Sequence, residues 1–418
     1  MKDHSPNTAG HWIREAVASR KPEFSLEQEF YTHPEIFELD VQRIFHRFWL
    51  LAGHVSQIPN EGDYFLYHVA NESMIIIRGK NSEVNALYNV CRHRGSRVLL
   101  EKTGRARHLV CPYHGWAYAT DGALTGCMHM PESFDKTQYG LRRAHVRVTC
   151  GLIYISLAEK PLDFEPFDRD LTAHLRLYHL DQAKIAHHES YPVACNWKLL
   201  CENFCECYHC GTAHPEYTGK VMTAAVTASP SLQALSDQVE AQGRDHFAKM
   251  GLDTRTIGMG KGGWYWMARY AFRPGFVSQT KDGKSAAPLF GELKNPDAGV
   301  FSFFTWPNAV IDASADHAAL VQLTPLSATQ SRADVYWLVR NDAVKGKDYD
   351  HDHLTWLWKI TGEQDMTLCL NNQAGVNSSC YSPGPYSEAE QNVEGFVCWY
   401  LKQVMDESPG ATFSGGKS

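Results

Sequence analysis

The chain has 418 residues, 44% of them hydrophobic, and a formal net charge of −7, which is enough for two domains with their own cores. Mild acidity argues against nucleic-acid binding, which requires basic surfaces. The absence of a run of about 18 apolar residues argues against a membrane span. The first residues lack the apolar stretch of a secretory signal, so we expect a cytoplasmic protein. Its 12 cysteines should then be free thiols or metal ligands, without disulfides.

Residues 1–48 are predicted to form a helical lead-in that packs on a larger C-terminal domain. Within it, residues 1–30 are expected to be loosely ordered. A helix follows, with Thr32 as its N-cap and Pro34 in its first turn. Its apolar residues recur at helical spacing, which predicts one buried face: Phe37, Val41, Ile44, Phe45 and Phe48.

Residues 49–158 are predicted to form a small antiparallel β domain. Short β-prone runs are separated here by turn residues: 64–67, 73–77, 84–88, 145–149 and 152–156. The acidic, aromatic and Pro-bearing stretch 161–170 is interpreted as the junction to the next domain.

Residues 159–405 predict a larger domain in which strands precede long helices. A helix around 196–210 is followed by a polar stretch, 229–261, which we interpret as a helix and a loop. The remaining elements come next: strands 264–272, 300–306, 318–324 and 334–340, and helices 351–371 and 388–405. This order indicates an α+β fold in which a curved antiparallel sheet wraps on helices. The Gly/Ser-rich tail, 406–418, is expected to be disordered.

Two short motifs in the small domain each pair one cysteine with one histidine: Cys91-Arg92-His93 and Cys111-Pro112-Tyr113-His114. Such a set could hold a structural zinc ion. It could also hold a Rieske [2Fe–2S] cluster, in which two cysteines bind one iron and two histidines bind the other. Each motif falls in a predicted loop between β-prone runs, and each contributes one ligand of each kind, so the pattern favours the iron cluster.

A second group of candidate metal ligands lies in the stretch 196–216: Glu202, Glu206, His209 and His214. Histidine and carboxylate are ligands that suit a mononuclear iron or zinc site. Glu206 and His209 are three residues apart, so on a helix their side chains would meet. We expect this helix to end near Gly211, which would turn His214 back. The alternative is an ordinary helix with two histidines. The cysteines of the same stretch are interpreted as buried small residues: Cys201, Cys205, Cys207 and Cys210.

These motifs resemble those of Rieske oxygenase large subunits, and the resemblance extends over about residues 40–400. It implies a catalytic domain of the helix-grip, START-like kind, with Fe(II) held by His209, His214 and Asp365. Three protein ligands leave positions open for O2 and substrate. Nearby carboxylates are rivals to Asp365: Glu363, Asp350 and Asp352. Glu202 and Asn203 would orient ligands or line the access path.

The resemblance also implies a route for electrons between subunits of a homotrimer. Many family members have an aspartate where this chain has Glu206. That carboxylate would link His209 to the partner subunit's His114. A separate flavin and iron–sulfur reductase would supply the electrons from NAD(P)H. The run Glu-Cys-Tyr-His-Cys at 206–210 resembles the branch of the family that acts on quaternary ammonium compounds such as glycine betaine, stachydrine and carnitine.

Aromatic residues on the predicted strands are candidates for the substrate pocket because aromatic faces bind quaternary ammonium groups, although strand aromatics are more often core. The candidates are Trp264, Trp266, Phe303 and Trp306. Arg269 and Arg273 could meet a substrate carboxylate. We therefore predict a monooxygenase that removes an N-methyl group as formaldehyde. The alternatives are a ring-hydroxylating dioxygenase acting on an aromatic acid, and an electron carrier or zinc-binding protein without catalysis.

Overall fold

The computed structural model of the chain describes residues 6–258 and 263–406, with side chains from residue 12 onward. It has the predicted mixture of helices and antiparallel sheets, with three small sheets between residues 50 and 156 and one larger sheet after them. No helix in the described part of the chain has the length and apolar character needed to cross a membrane. Of the predicted tail, only Asp406 lies inside the described residues.

The N-terminal part is more helical than predicted. It contains helices α1 (Pro6–Ser19), α2 (Gln28–Thr32) and α3 (Pro34–Asp40), followed by a π-helical turn (Val41–Phe45). Helix α1 and part of α2 therefore lie in the segment that we expected to be loosely ordered, of which residues 1–5 are outside the described residues. The N-cap of α3 is His33, whose Nδ1 accepts from the Glu35 N–H at 3.3 Å. Thr32 instead ends α2 and donates its hydroxyl to the Gln28 carbonyl at 3.0 Å, so it has no capping role.

The small sheets contain all five predicted runs. They are built of β1 (Leu50–His54), β2 (Asp63–Val69), β3 (Glu72–Arg78), β4 (Val84–Tyr88), β5 (Thr103–Arg105), β6 (Leu109–Val110), β7 (Ala117–Tyr118), β8 (Leu124–Gly126), β9 (His145–Thr149) and β10 (Leu152–Ser156). The strand orders are β1-β10-β9, β4-β3-β2-β5 and β6-β7-β8, and the paired strands are antiparallel.

Strand β3 separates two hydrophobic cores because successive side chains of a strand point to opposite faces. Met74 and Ile76 pack into the main core of the protein. Ile75 and Ile77 pack into a second core, which also contains Cys91 and is completed by residues such as Trp116 and Tyr118. The face of β3 that carries Ile75 and Ile77 thus supports the loops that contain the cysteine–histidine motifs.

The predicted junction, 161–170, contains the start of helix α4 (Glu165–Leu175). Phe167 and Leu171 are buried four residues apart on one face of α4. The centroid of the Phe167 ring lies 5.3 Å from that of Tyr154 in β10 and 5.0 Å from that of Trp264 in the following part of the chain. This stretch therefore packs the small sheets against the rest of the protein.

The larger sheet has six antiparallel strands in the order β11-β16-β15-β14-β13-β12. The strands are β11 (Ala183–Val193), β12 (Tyr265–Tyr270), β13 (Val300–Thr305), β14 (Ala309–Ala313), β15 (Ala318–Ser327) and β16 (Gln330–Arg340). The helices are α5 (Trp197–Phe204), α6 (Cys210–Ala213), α7 (Pro215–Thr218), α8 (Met222–Ala228), α9 (Gln233–Lys249), α10 (His351–Val376) and α11 (Gln391–Met405). The four predicted strands and the two C-terminal helices are confirmed, and β11 and β14 are additions.

A buried ion pair fixes α5 against the N-terminal helices. The Lys198 ammonium contacts the Asp40 carboxylate at 2.5 Å, and both side chains are fully buried. The same carboxylate accepts from Trp197 Nε1 at 2.9 Å and from the Tyr400 hydroxyl at 2.8 Å. Since α5 leads directly to the stretch that contains Glu206, His209 and His214, this pair anchors the element that precedes these candidate ligands.

Replacing Lys198 with methionine should lower the free energy of unfolding by about 3–5 kcal/mol, because the substitution leaves the Asp40 charge buried without its partner. Denaturant unfolding of the two proteins measures the difference. Lys359→Met is the matched control: its ammonium is half exposed, 3.4 Å from Glu189, and its loss should cost less than about 1 kcal/mol. Equal losses in the two variants would contradict an anchoring role for the buried pair.

Candidate metal centres

The cysteine–histidine motifs form two similar turns that face each other. In the first, the Gly95 N–H donates to the Cys91 carbonyl, and in the second the Gly115 N–H donates to the Cys111 carbonyl, both at 3.0 Å. Gly95 and Gly115 have φ of +80° and +69°, a conformation that glycine adopts without strain. The repeated turn brings one cysteine and one histidine of each motif to the same place.

The four side chains of these turns are arranged as an inner pair and an outer pair. Cys91 and Cys111 are buried, whereas His93 and His114 are exposed. The Nδ1 atoms of the two histidines lie 3.1 Å apart. Burial raises the pKa of the Cys91 thiol, and metal ligation would favour the thiolate. Two buried sulfurs and two surface imidazoles fit a two-iron cluster with two cysteine and two histidine ligands.

The second site joins residues from two parts of the sequence. His209 lies just before α6, His214 just after it, and Asp365 lies in the middle of α10. Asp365 Oδ1 is 2.8 Å from His214 Nε2 and 3.4 Å from His209 Nε2. One ligand atom from each residue lies within 4.8 Å of the others, so the three side chains form one face of a metal site.

Both histidines are oriented by oxygen acceptors at Nδ1. His209 Nδ1 lies 2.5 Å from Glu206 Oε1, and His214 Nδ1 lies 2.7 Å from Gln364 Oε1. These oxygens fix the proton on Nδ1 and leave each Nε2 for a metal ion. Glu206 and His209 thus meet as predicted.

The charge of the site favours a cation. Although burial favours the neutral acid, hydrogen bonds from both imidazoles hold the pKa of Asp365 below its ordinary value. Burial favours the neutral ring of His209, but hydrogen bonds to Asp365 and Glu206 raise the pKa of His209 to about 9. The site therefore attracts positive charge, which a divalent ion would provide while displacing protons. The rival carboxylates lie elsewhere: Glu363 and Asp352 are exposed, and Asp350 caps α10.

The local fold of the stretch that contains the two histidines differs from the prediction of one helix over 196–210. Helix α5 ends at Phe204, and a turn separates it from the short α6. Gly211 lies within α6, so the expectation that a helix ends there was wrong. A Cβ at Gly211 would come within 2.4 Å of the Thr227 carbonyl oxygen, so glycine is required for α6 to pack on α8.

The same turn brings two thiols together. Cys207 and Cys210 are joined in a disulfide, with their Cα atoms 4.9 Å apart, so the prediction that every cysteine is a free thiol or a metal ligand was wrong for this pair. Cys201 and Cys205 are buried free thiols.

Glu202 and Asn203 lie next to the second site. The Tyr31 hydroxyl donates to Glu202 Oε1 at 2.9 Å, and burial raises the pKa of Glu202 to about 7. Both residues line a cavity of about 430 Å³ that reaches Glu206 and His209. Asn203 also borders a second cavity, and its Oδ1 has no hydrogen-bond partner in the described part of the chain.

This second cavity, of about 240 Å³, opens onto His209, His214 and Asp365. We call it the substrate pocket. Aromatic side chains form much of its wall: Phe204, Tyr217, Trp266, Tyr270, Phe304 and Trp358. Of the four predicted substrate residues, Trp266 lines the pocket, paired across β12 and β13 with Phe304. Strand alternation from Trp266 would have indicated Tyr270.

The other three predicted aromatics pack away from the pocket. The ring centroids of Trp264 and Phe167 are 5.0 Å apart, and so are those of Trp306 and Trp399. Phe303 lies on the opposite face of β13, beside Phe301. Arg269 also lies on the opposite face, where it donates to the Tyr178 hydroxyl at 2.8 Å and to the Ala298 carbonyl at 2.7 Å. Arg273 is not part of the pocket wall.

Two separate segments of the chain match two family models. Residues 48–139 match the Rieske [2Fe-2S] domain, and residues 180–406 match the ring hydroxylating alpha subunit (catalytic domain). The chain belongs to the Rieske non-heme iron oxygenases and is an alpha subunit of this family. Its cofactors are accordingly a Rieske [2Fe–2S] cluster and mononuclear iron, with O2 as co-substrate and a reductase as the source of electrons.

Particular relatives lie in the branch that the motifs resemble. The glycine betaine monooxygenase oxygenase subunit of Pseudomonas aeruginosa (strain UCBPP-PA14) is 37% identical, over 93% of this chain and 91% of its own length. The carnitine monooxygenase oxygenase subunit of Acinetobacter pittii is 35% identical, over 84% and 85%. A solved quaternary ammonium Rieske monooxygenase from work on carnitine oxidation by gut microbiota shares the fold, with a TM-score of 0.71, 23% identity and coverage of 94% and 98%. The predicted resemblance is confirmed.

Proposed function

We propose that this chain is the oxygenase component that removes an N-methyl group from a small quaternary ammonium compound of the glycine betaine class. The observation that carries the proposal is the aromatic wall of the substrate pocket, which opens onto His209, His214 and Asp365. Aromatic faces bind quaternary ammonium groups. The names of the relatives support the same substrate class.

The proposed ligands follow the donor chemistry of the two sites: Cys91, His93, Cys111 and His114 for the cluster, and His209, His214 and Asp365 for Fe(II). When bound, these groups supply electron transfer and O2 activation. Glu206 and Gln364 keep the Nδ1 protons in place and hold the imidazoles in orientation. Glu202, with its pKa near neutrality, can hold or release a proton at its carboxylate.

The overall reaction inserts one oxygen atom of O2 into an N-methyl C–H bond. The other oxygen atom leaves as water, using two electrons from the reductase and two protons. In the hydroxymethyl ammonium product the C–N bond breaks, and its electron pair stays on nitrogen. Loss of the hydroxyl proton then gives formaldehyde and a tertiary amine.

The proposal includes a homotrimer in the cytoplasm, where NAD(P)H and a reductase are available. In it, Glu206 would connect His209 to the partner subunit's His114. His93 and His114 are exposed, and so is Tyr208 beside Glu206, at 56%, which leaves both sites accessible to a neighbouring subunit. The related solved quaternary ammonium Rieske monooxygenase gives insights into inter-subunit electron transfer, which supports this arrangement.

Formaldehyde release tests this function against the dioxygenase alternative. The anaerobically purified protein is combined with a reductase, NADH and O2, and given glycine betaine, carnitine, stachydrine or benzoate. We expect formaldehyde in equal amount to the substrate consumed for at least one of the ammonium compounds and none from benzoate. A cis-diol from benzoate, without formaldehyde from any ammonium compound, would overturn the proposal. Heat-inactivated protein is the control for chemical demethylation.

A further inference from the structure

The substrate pocket contains one buried carboxylate that takes no part in the metal site. Asp312 lies on β14, directly across from Ser302 on β13, and its side chain is almost fully buried. Its Oδ2 accepts from Gln279 Nε2 at 3.0 Å and from the Tyr217 hydroxyl at 3.4 Å. Strand alternation places it on the same face as Phe304 and Trp266.

No positive side chain balances this carboxylate. Among the described residues of the pocket wall there is neither a lysine nor an arginine. The two histidines are turned toward Asp365, and Glu206 is paired with His209. Asp312 therefore presents the pocket with a charge that has hydrogen-bond donors but no ionic partner.

Electrostatic coupling relates Asp312 to the metal site. Burial raises the pKa of Asp312 above its ordinary value, although Ser302, Gln279 and Tyr217 donate hydrogen bonds that favour the carboxylate. Burial also raises the pKa of Tyr217 well above its ordinary value, and the negative charges of Asp312 and Asp365 add to this effect. Tyr217 thus experiences both carboxylates, and a cation in the pocket would lie in the same field.

A quaternary ammonium group has no N–H to donate, so its charge must be recognised through Coulomb attraction and aromatic faces. We infer that Asp312 is the counter-charge for the substrate nitrogen and that, with Trp266 and Phe304, it selects an ammonium cation over an uncharged molecule of the same shape. This inference rests on the proposed function and adds a specificity-determining residue to it.

The test compares an ammonium substrate with its tert-butyl analogue, in which carbon replaces the charged nitrogen. For glycine betaine the analogue is 3,3-dimethylbutanoate. We measure the KM of the ammonium compound that releases formaldehyde and the inhibition constant of its analogue, for wild type and Asp312→Asn. In the variant the KM should rise about ten- to hundredfold with kcat changed less than about threefold. The inhibition constant of the analogue, whose tert-butyl group carries no charge, should stay the same or fall.

An equal change of both constants in Asp312→Asn would overturn the inference, because a structural defect does not distinguish an ammonium group from a tert-butyl group. If the variant does not fold, wild type alone decides: calorimetric binding of the analogue as tight as that of the ammonium compound contradicts a counter-charge. Asp342→Asn is the control, since Asp342 is exposed and pairs with Arg340; both constants should match wild type. Absence of formaldehyde from wild type would refute the proposed function, while calorimetry would still test Asp312.

Discussion

Replacing His209 with alanine should remove the mononuclear iron and leave the cluster in place. Wild type should contain about three irons and two sulfides per chain, and the variant about two irons and two sulfides with the same visible spectrum. The reason is local: His209 is one of three ligands at its site, and the cluster ligands lie in the separate turns of the small domain. Formaldehyde release should fall to background.

The measurement is iron and sulfide analysis together with the visible spectrum of anaerobically purified protein. Asp365→Ala should behave in the same way, because its Oδ1 faces both histidines. His145→Ala is the control, because this histidine is exposed on β9, its Nε2 lies 3.3 Å from the Glu159 carbonyl oxygen, and it belongs to neither candidate site. A His209→Ala protein that keeps all three irons would show that His209 does not hold the mononuclear iron.

Replacing Glu206 with glutamine should slow turnover about 10- to 100-fold while most of the iron remains bound. Glu206 Oε1 lies against His209 Nδ1 at 2.5 Å, and its Oε2 accepts from the N–H groups of Tyr208 and His209. Glutamine keeps the size but removes the charge that orients and polarises His209. If electrons cross to the iron through this residue, cluster reduction by the reductase should be normal and cluster re-oxidation slow.

Stopped-flow absorbance of the reduced cluster, mixed with O2 and substrate, measures that step. Glu206→Asp is the matched variant because it keeps the carboxylate, and it should re-oxidise the cluster faster than Glu206→Gln. If the glutamine variant re-oxidises its cluster at the wild-type rate, electrons do not pass through Glu206.

The cluster motifs could be predicted from the sequence because all the information is local. Each cysteine–histidine pair lies within four residues, and the glycine that closes its turn follows within two residues of the histidine. Five of the ten strands in the small sheets were recognised as well, because their apolar residues alternate or are continuous, as in β3. The other five were missed: β1, β5, β6, β7 and β8. Strand β11 was missed because it is an edge strand with several polar side chains, which weakens the apolar pattern.

The second site depends on contacts that local patterns do not contain. Asp365 lies on α10, whereas the histidines flank α6. Residue spacing would not have distinguished Asp365 from Glu363, and the choice of Asp365 came from the family resemblance. The break after Phe204 was missed because the sequence has no proline or glycine between Asn196 and Cys210 to mark it, and tertiary packing of Gly211 against Thr227 determines where α6 lies. Phe304 lines the pocket and Phe303, which was predicted, does not; the strand register was needed to show which of the two faces the pocket.

A single-turnover experiment tests most directly whether the two sites act together as an N-demethylating oxygenase. The cluster of the wild-type protein is reduced chemically, excess reductant is removed, and O2 is added with the ammonium substrate in the absence of reductase. We predict that formaldehyde forms as the cluster spectrum returns to the oxidised state, and that neither substrate-free protein nor His209→Ala yields formaldehyde. Re-oxidation of the cluster without formaldehyde, in protein that contains all three irons, would contradict the proposed function.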